Sequence, residues 1–255
     1  MSLLVARRGL LAAGAAPTEE PPPSGDYAAE VAADGPIGWW RLAETSGSTA
    51  ADEVGTNNLT VFGPNLDVQG PTGNGALFDG VDDSMRLVGD SINITTALTL
   101  EALIRTPIGD LDALIHGQYA TGASTPNRGY AMIVGADGSL LLWSSPSGES
   151  FQTTMASTAG AVPANEWCHI SVTWSTSEPP KGYVNGVEVG YETQVNDSRS
   201  LDGSGRDYTI GVRGSSGNNY DENWYEGDVA EAAVYDKVLS TSRISAHATA
   251  AGLGS

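Results

Sequence analysis

Three groups of residues in this chain have the types and spacing to do chemistry. The first is acidic: Asp52, then Asp79, Asp82 and Asp83 around Gly80, with backbone carbonyls near Gly55 and Asn57. Hard oxygen donors of this kind suit Ca²⁺, which takes roughly six to eight of them. The same spacing serves a competing purpose, a tight turn closed by Asx-type hydrogen bonds. The second group lies in the run 215–225, where Asn218, Asn219, Tyr220, Trp224 and Tyr225 interleave rings with amides. Rings cover the apolar face of a sugar while amides bond its hydroxyls, and Tyr119, Asn127, Tyr130 and Trp143 are candidate neighbours. The competing reading is that the rings anchor the loop to the core. The third group is Glu226, Asp228 and Glu231. Retaining glycoside hydrolysis needs two carboxyls about 5 Å apart on one face. On a strand, 226 and 228 share a face and 231, at odd spacing, does not. His116, His169 and His247 stand without a nucleophile pattern around them. The single cysteine, Cys168, sits mid-strand and reads as a small buried hydrophobe. These patterns predict a protein that is not an enzyme.

Those residues must be positioned by strands. Trp167 to Trp174 is rich in β-branched and aromatic residues, the composition of a half-buried pleated strand. In 182–189, Asn185-Gly186 separates two apolar alternating runs, and both residues tolerate the positive φ that a type I′ hairpin requires. The intervening 175–180, ending in Pro179-Pro180, reads as a loop. Asp137-Gly138 joins 130–134 to 140–143 in a second hairpin. Short runs at 113–115, 208–212 and 229–235 continue the antiparallel grammar. Ser240 is suited to cap a helix over 241–250, and 27–33 can form a helical turn. Many short strands punctuated by Gly, Asn, Asp and Pro predict an all-β sandwich.

Seven segments, in order, carry a family resemblance: 36–44 (PIGWWRLAE), 50–58, 75–83 (GALFDGVDD), 98–104 (LTLEALI), 166–173 (EWCHISVT), 183–186 (YVNG) and 227–240 (GDVAEAAVYDKVLS). Together they resemble the laminin-G-like, concanavalin A-like jelly-roll domains across roughly 35–250. Leu103 stands where that family usually has Trp. The resemblance implies a jelly-roll β-sandwich over 26–252 and a possible structural calcium held partly by an Asp in the closing motif. Here that position is Ala230, which lowers the expected affinity because ligand charge tunes calcium binding. Some relatives hydrolyse β-glucans with a Glu-x-Asp-x-x-Glu run, which this chain lacks.

The 255 residues carry 31 Asp and Glu against 12 Lys and Arg, a formal charge of −19. A field of that sign repels phosphates and anionic lipid, so neither nucleic acid nor membrane is an expected partner. Residues 1–16 (MSLLVARRGLLAAGAA) offer Leu3, Leu4, Val5, Leu10 and Leu11 as apolar anchors around Arg7-Arg8. They read as a docking arm for a partner protein, with a short secretion signal as the alternative. Residues 17–25 form a Pro-rich acidic linker. A docking arm, high acidity and one sandwich resemble phage surface proteins of this family. The expectation is therefore a homo-oligomeric virion structural protein, a capsid decoration or tail-associated subunit, displaying a lectin-like sandwich that binds glycans. The alternative is a secreted bacterial carbohydrate-binding module.

Overall fold

A computed structural model of the chain describes residues 27–89, 92–109, 112–119, 129–145, 152–195, 200–201, 206–214, 220 and 223–254. The docking arm and linker, Asn127, Asn218 and Asn219 lie outside these residues. The strands form two antiparallel sheets. Sheet A runs β14 (Val187–Glu188), β13 (Lys181–Val184), β12 (Cys168–Ser175), β7 (Ala97–Arg105), β17 (Glu226–Tyr235), β5 (Asn74–Asp79), β4 (Asn65–Gln69), with β1 (Gly38–Trp40) also on β17. Sheet B runs β15 (Tyr191–Gln194), β11 (Gln152–Ser157), β10 (Leu140–Ser144), β9 (Tyr130–Val134), β8 (Ala113–Gln118), β16 (Tyr208–Ile210), β6 (Ser84–Leu87), β3 (Leu59–Phe62), β2 (Thr49–Ala50). This is the concanavalin A-like β-sandwich that the motifs imply.

The core follows from strand parity. On β7, Leu98, Leu100, Ala102 and Ile104 face sheet B, as do Cys168, Ile170, Val172 and Trp174 on β12. Cys168 is a core residue whose thiol is pushed up to about 12 by burial and by the Glu166 charge, so it is chemically inert. The Asn185-Gly186 turn has φ of 50° and 79°, the positive pair a type I′ hairpin needs.

Every residue of β12 is buried on both faces, because helices cover the outer side of sheet A. Helix α1 (Tyr27–Ala33) and helix α2 (Thr241–Ala250) pack there with Leu103, Tyr183, Ala230, Ala233 and Tyr235. Ser240 caps α2 by accepting the Arg243 N–H, as its sequence position predicts.

Beneath the helices lies a buried polar centre that spacing alone did not reveal. Glu101 of β7 is fully buried and accepts from His169 Nε2 at 3.0 Å, His247 Nδ1 at 2.9 Å and the Tyr235 hydroxyl at 2.5 Å. His169 and His247 thus do not stand alone; they converge on one carboxylate. Arg243 extends the network from α2 to Glu30 and Asp34 of the first helix and its end, the latter at 2.8 Å. The detectable signal was a lone Glu inside the apolar strand 98–104, since a buried charge requires partners.

Candidate functional site

The outer end of β17 gathers the residues that chemistry would use. Glu226 opens the strand and pairs in register with Asp79 of β5, setting two carboxylates opposite each other. Like charges so placed repel, and both side chains remain exposed. Gly227 follows with φ of 134°; a Cβ there would meet the Arg105 carbonyl oxygen at 2.5 Å. Only glycine lets β17 approach β7 that closely while turning Glu226 outward. Asp228 then pairs with Arg105 at 2.7 Å, and the Arg105 guanidinium lies 5.5 Å from the Trp167 ring.

Above this strand end is a cleft of about 290 Å³ lined by Thr106, Pro107, Ile108, Trp224, Glu226 and their neighbours. Trp224 is half-buried, so its ring is held by the wall yet reachable from solvent. Asn223, with φ of 50°, donates from Nδ2 to the Asp112 carbonyl at 2.6 Å and pins the segment that carries Trp224. Thr106 donates to the Glu226 carbonyl at 2.9 Å, fixing the opposite rim. Two adjoining hollows of about 410 and 300 Å³ share Glu226, one with Asp79, Asp83 and Asn65, the other with Arg105, Asn165 and Asp228. A ring face beside carboxylate oxygens and amides can hold a polyhydroxylated ligand: apolar C–H groups on the ring, hydroxyls to the polar rim.

The other described aromatic candidates go elsewhere. Tyr225 is fully buried, edge-on to Phe78 at 6.0 Å, and its hydroxyl donates to the Asp228 carbonyl at 3.1 Å. It anchors the segment and cannot meet a ligand. Tyr130 is also a core residue, donating to the Ile92 carbonyl at 3.0 Å. Trp143 and Tyr119 are buried on the outer side of sheet B, 5.8 Å apart, with Arg213 over the indole. Tyr220 lies over Arg86 of β6. Of the described aromatic candidates, Trp224 alone reaches the cleft.

The acidic group also divides. Asp79, Asp82 and Asp83 bring their ligand atoms within 4.8 Å of one another. Asp52 is not among them. It organises 52–57 instead, accepting from the backbone N–H groups of Trp39 at 3.1 Å, Val54 at 3.2 Å and Asn57 at 3.0 Å. Asp79 accepts from the backbone of Val81 at 2.8 Å and Asp82 at 3.3 Å, and Asp83 accepts from Asp79 at 2.9 Å. Burial, and the charges of Asp79 and Asp82, push the Asp83 carboxyl above its ordinary value despite that bond. Ala230, at the family's Asp position, packs against the outer cluster with Leu103 and Trp39. Among the described residues the carboxylates of Asp79, Asp82 and Asp83 lie near enough to share one ion, and oxygens of Asp79 and Asp83 also close a turn. Calcium at roughly 1 mM is expected to move the melting temperature by less than about 1 °C relative to chelator. A rise of several degrees would show a bound ion.

Glu231 corrects the parity expectation. A bulge between Ala230 and Ala233 puts it at φ of 53°, and its carboxylate accepts from Trp39 Nε1 at 2.9 Å, Arg41 Nε at 3.1 Å and Thr72 Oγ1 at 2.9 Å. Trp39 packs with Ala230 and Ala233 outside sheet A, so odd spacing does not send Glu231 inward.

The sequence model of the concanavalin A-like lectin/glucanases superfamily matches residues 79–245, and the chain belongs to that family. No curated protein matches it. Among solved structures it is similar to domain 4 of AbnA, a GH43 extracellular arabinanase from Geobacillus stearothermophilus in complex with arabinotriose. That likeness has 19% identity over 83% of this chain and 97% of the other, with a TM-score of 0.59. The binding domain of Paraclostridial Mosquitocidal Protein 1 is similar at 16% identity, 79% of this chain, 49% of the other and a TM-score of 0.58. So is the botulinum neurotoxin serotype D binding domain, at 15%, 86%, 52% and 0.58. The chain thus spans about half of each toxin structure. At these identities the likeness establishes a lectin-like jelly-roll fold.

Proposed function

We propose that this domain is a non-catalytic glycan-binding module whose ligand sits in the Trp224 cleft. The observation that carries the reading is the pairing of a half-buried, reachable indole with the Glu226 rim in a cleft of about 290 Å³. The arabinotriose complex of a similarly folded domain supports a sugar as the ligand class. A non-catalytic role is favoured by two of the three β17 carboxylates, Asp228 tied to Arg105 and Glu231 to Arg41, while Glu226 stays exposed opposite Asp79. Hydrolysis of any glycan by the purified domain would overturn that part. In a glycan-array or calorimetric measurement, Trp224→Ala is expected to weaken binding at least roughly tenfold, about 1.4 kcal/mol. Its melting temperature should stay near that of the native protein. Equal affinity in both proteins would remove the cleft as the site.

We further propose that the domain is displayed on a virion by the segment 1–16, as its apolar anchors suggest. Intact mass and N-terminal sequence from the native source test this. A full-length chain embedded in a particle supports display, whereas a free chain starting near Pro17 makes it a secreted module.

A further inference from the structure

Away from the cleft, on the outer side of sheet B, one arginine is held in an unusual setting. Arg86 lies on β6 between Thr60 of β3 and Thr209 of β16. Its guanidinium carbon sits 4.5 Å from the centre of the Phe62 ring and 3.8 Å from that of Tyr220. Its Nε donates to Ser84 Oγ at 2.9 Å, fixing the plane of the fork. Phe62 is 43% exposed, so this stack stands at the surface. Arg41, Arg105, Lys181 and Arg243 each contact a carboxylate, whereas no described carboxylate bonds the Arg86 guanidinium. Among the described residues, Asp207 is the acid whose charge acts on it. Its two oxygens are engaged, Oδ1 by the Gly89 N–H at 2.9 Å and Oδ2 by the Tyr220 hydroxyl.

We propose that Arg86, clamped between Phe62 and Tyr220, is a subsite for the carboxylate of an acidic sugar. A planar guanidinium with its Nε fixed on Ser84 can meet the two oxygens of a carboxylate in a fork-to-fork pair. The rings have already immobilised the side chain, which lowers the entropic cost of that pairing. Phe62, 43% exposed, adds apolar surface beside the guanidinium for the sugar's C–H groups. The charge of −19 restricts the ligand class further. A polyanion would meet repulsion along its length, whereas a single carboxylate needs only the one guanidinium, whose charge Asp207 partly offsets.

The inference rests on the glycan-binding reading but on a different surface, so the two can fail separately. The test uses the full chain and oligosaccharides carrying one uronate or one sialate, each beside its methyl ester, which removes the charge and keeps the shape. At least one acid is expected to bind roughly tenfold tighter than its ester. Arg86→Gln and Arg86→Lys should both bring that acid to the level of its ester, because lysine keeps the charge and loses the fork. Acids no tighter than their esters, an unchanged Arg86→Gln, or full retention by Arg86→Lys would each overturn the proposal. Acetate binding as tightly as the sugar acid would reduce the site to a general anion contact and also overturn it. Loss of neutral-glycan binding in Trp224→Ala but not in Arg86→Gln would leave the cleft reading intact whatever Arg86 does.

Discussion

Glu101→Ala is expected to cost about 3–5 kcal/mol of folding stability, the loss typical when one member of a buried charged network is removed. For a domain of this size that lowers the melting temperature by roughly 10 °C. Burial by itself would raise the Glu101 carboxyl, yet hydrogen bonds and charge from His169 and His247 outweigh it and hold the group well below its ordinary value. Removing it strands two imidazoles and the Tyr235 hydroxyl in a dry interface. Glu101→Gln keeps the volume and should fall between the two. Urea unfolding followed by circular dichroism measures the loss, and a cost under about 1 kcal/mol would show that the network is not stabilising.

The same centre sets a pH dependence. A depressed Glu101 contributes stability above its unfolded value near 4.5, lost as pH falls through the lower folded value. His247 is lowered by burial but raised more by Glu101 and Asp34, so its net shift is upward from 6.5. Its contribution is complete below that unfolded value and is lost as pH rises through the folded one. The helix clamp is therefore strongest between about pH 4.5 and 6.5. His247→Gln should flatten the decline on the alkaline side of that window.

The second large effect is expected at Glu231. Substitution by alanine orphans the Trp39 indole N–H and the Thr72 hydroxyl and releases Arg41, for a loss of about 3 kcal/mol. The backbone strain of an L-residue at φ of 53°, about 1–2 kcal/mol, burdens Glu and Ala alike and so is no part of that loss. Glu231→Gly removes the same contacts without the strain of a side chain, so it should be less damaging than Glu231→Ala by about 1 kcal/mol. Equal losses would mean that the bulge relaxes when the carboxylate leaves. Paired denaturation curves decide between these outcomes.

What the sequence made legible was local. The Asn185-Gly186 hairpin, the Ser240 cap and the alternation of β7 and β12 each depend on residues a few positions apart, where periodicity and turn chemistry act directly. What it hid depends on pairing between distant segments. Glu101 meets His247 only because β7 lies beneath α2, 146 positions away in sequence. Asp52 and Asp79 looked like one acidic set, but β1 draws the first away from the turn that holds the second. Trp224 and Tyr225 are adjacent and chemically alike, yet one lines a cleft and the other fills the core. Parity says they face opposite ways; only the packed sheet says which way is inward.

The contact between the two helices also governs how the domain bears load. Tyr27, where the described fold begins, rests against His247 with ring centres 6.1 Å apart, and Arg243 ties the helices by ion pairs. The chain thus enters and leaves the sandwich at one place. Tension between its ends would load the α1–α2 contact directly. The helix pair is where a pull on both ends of the domain is first felt.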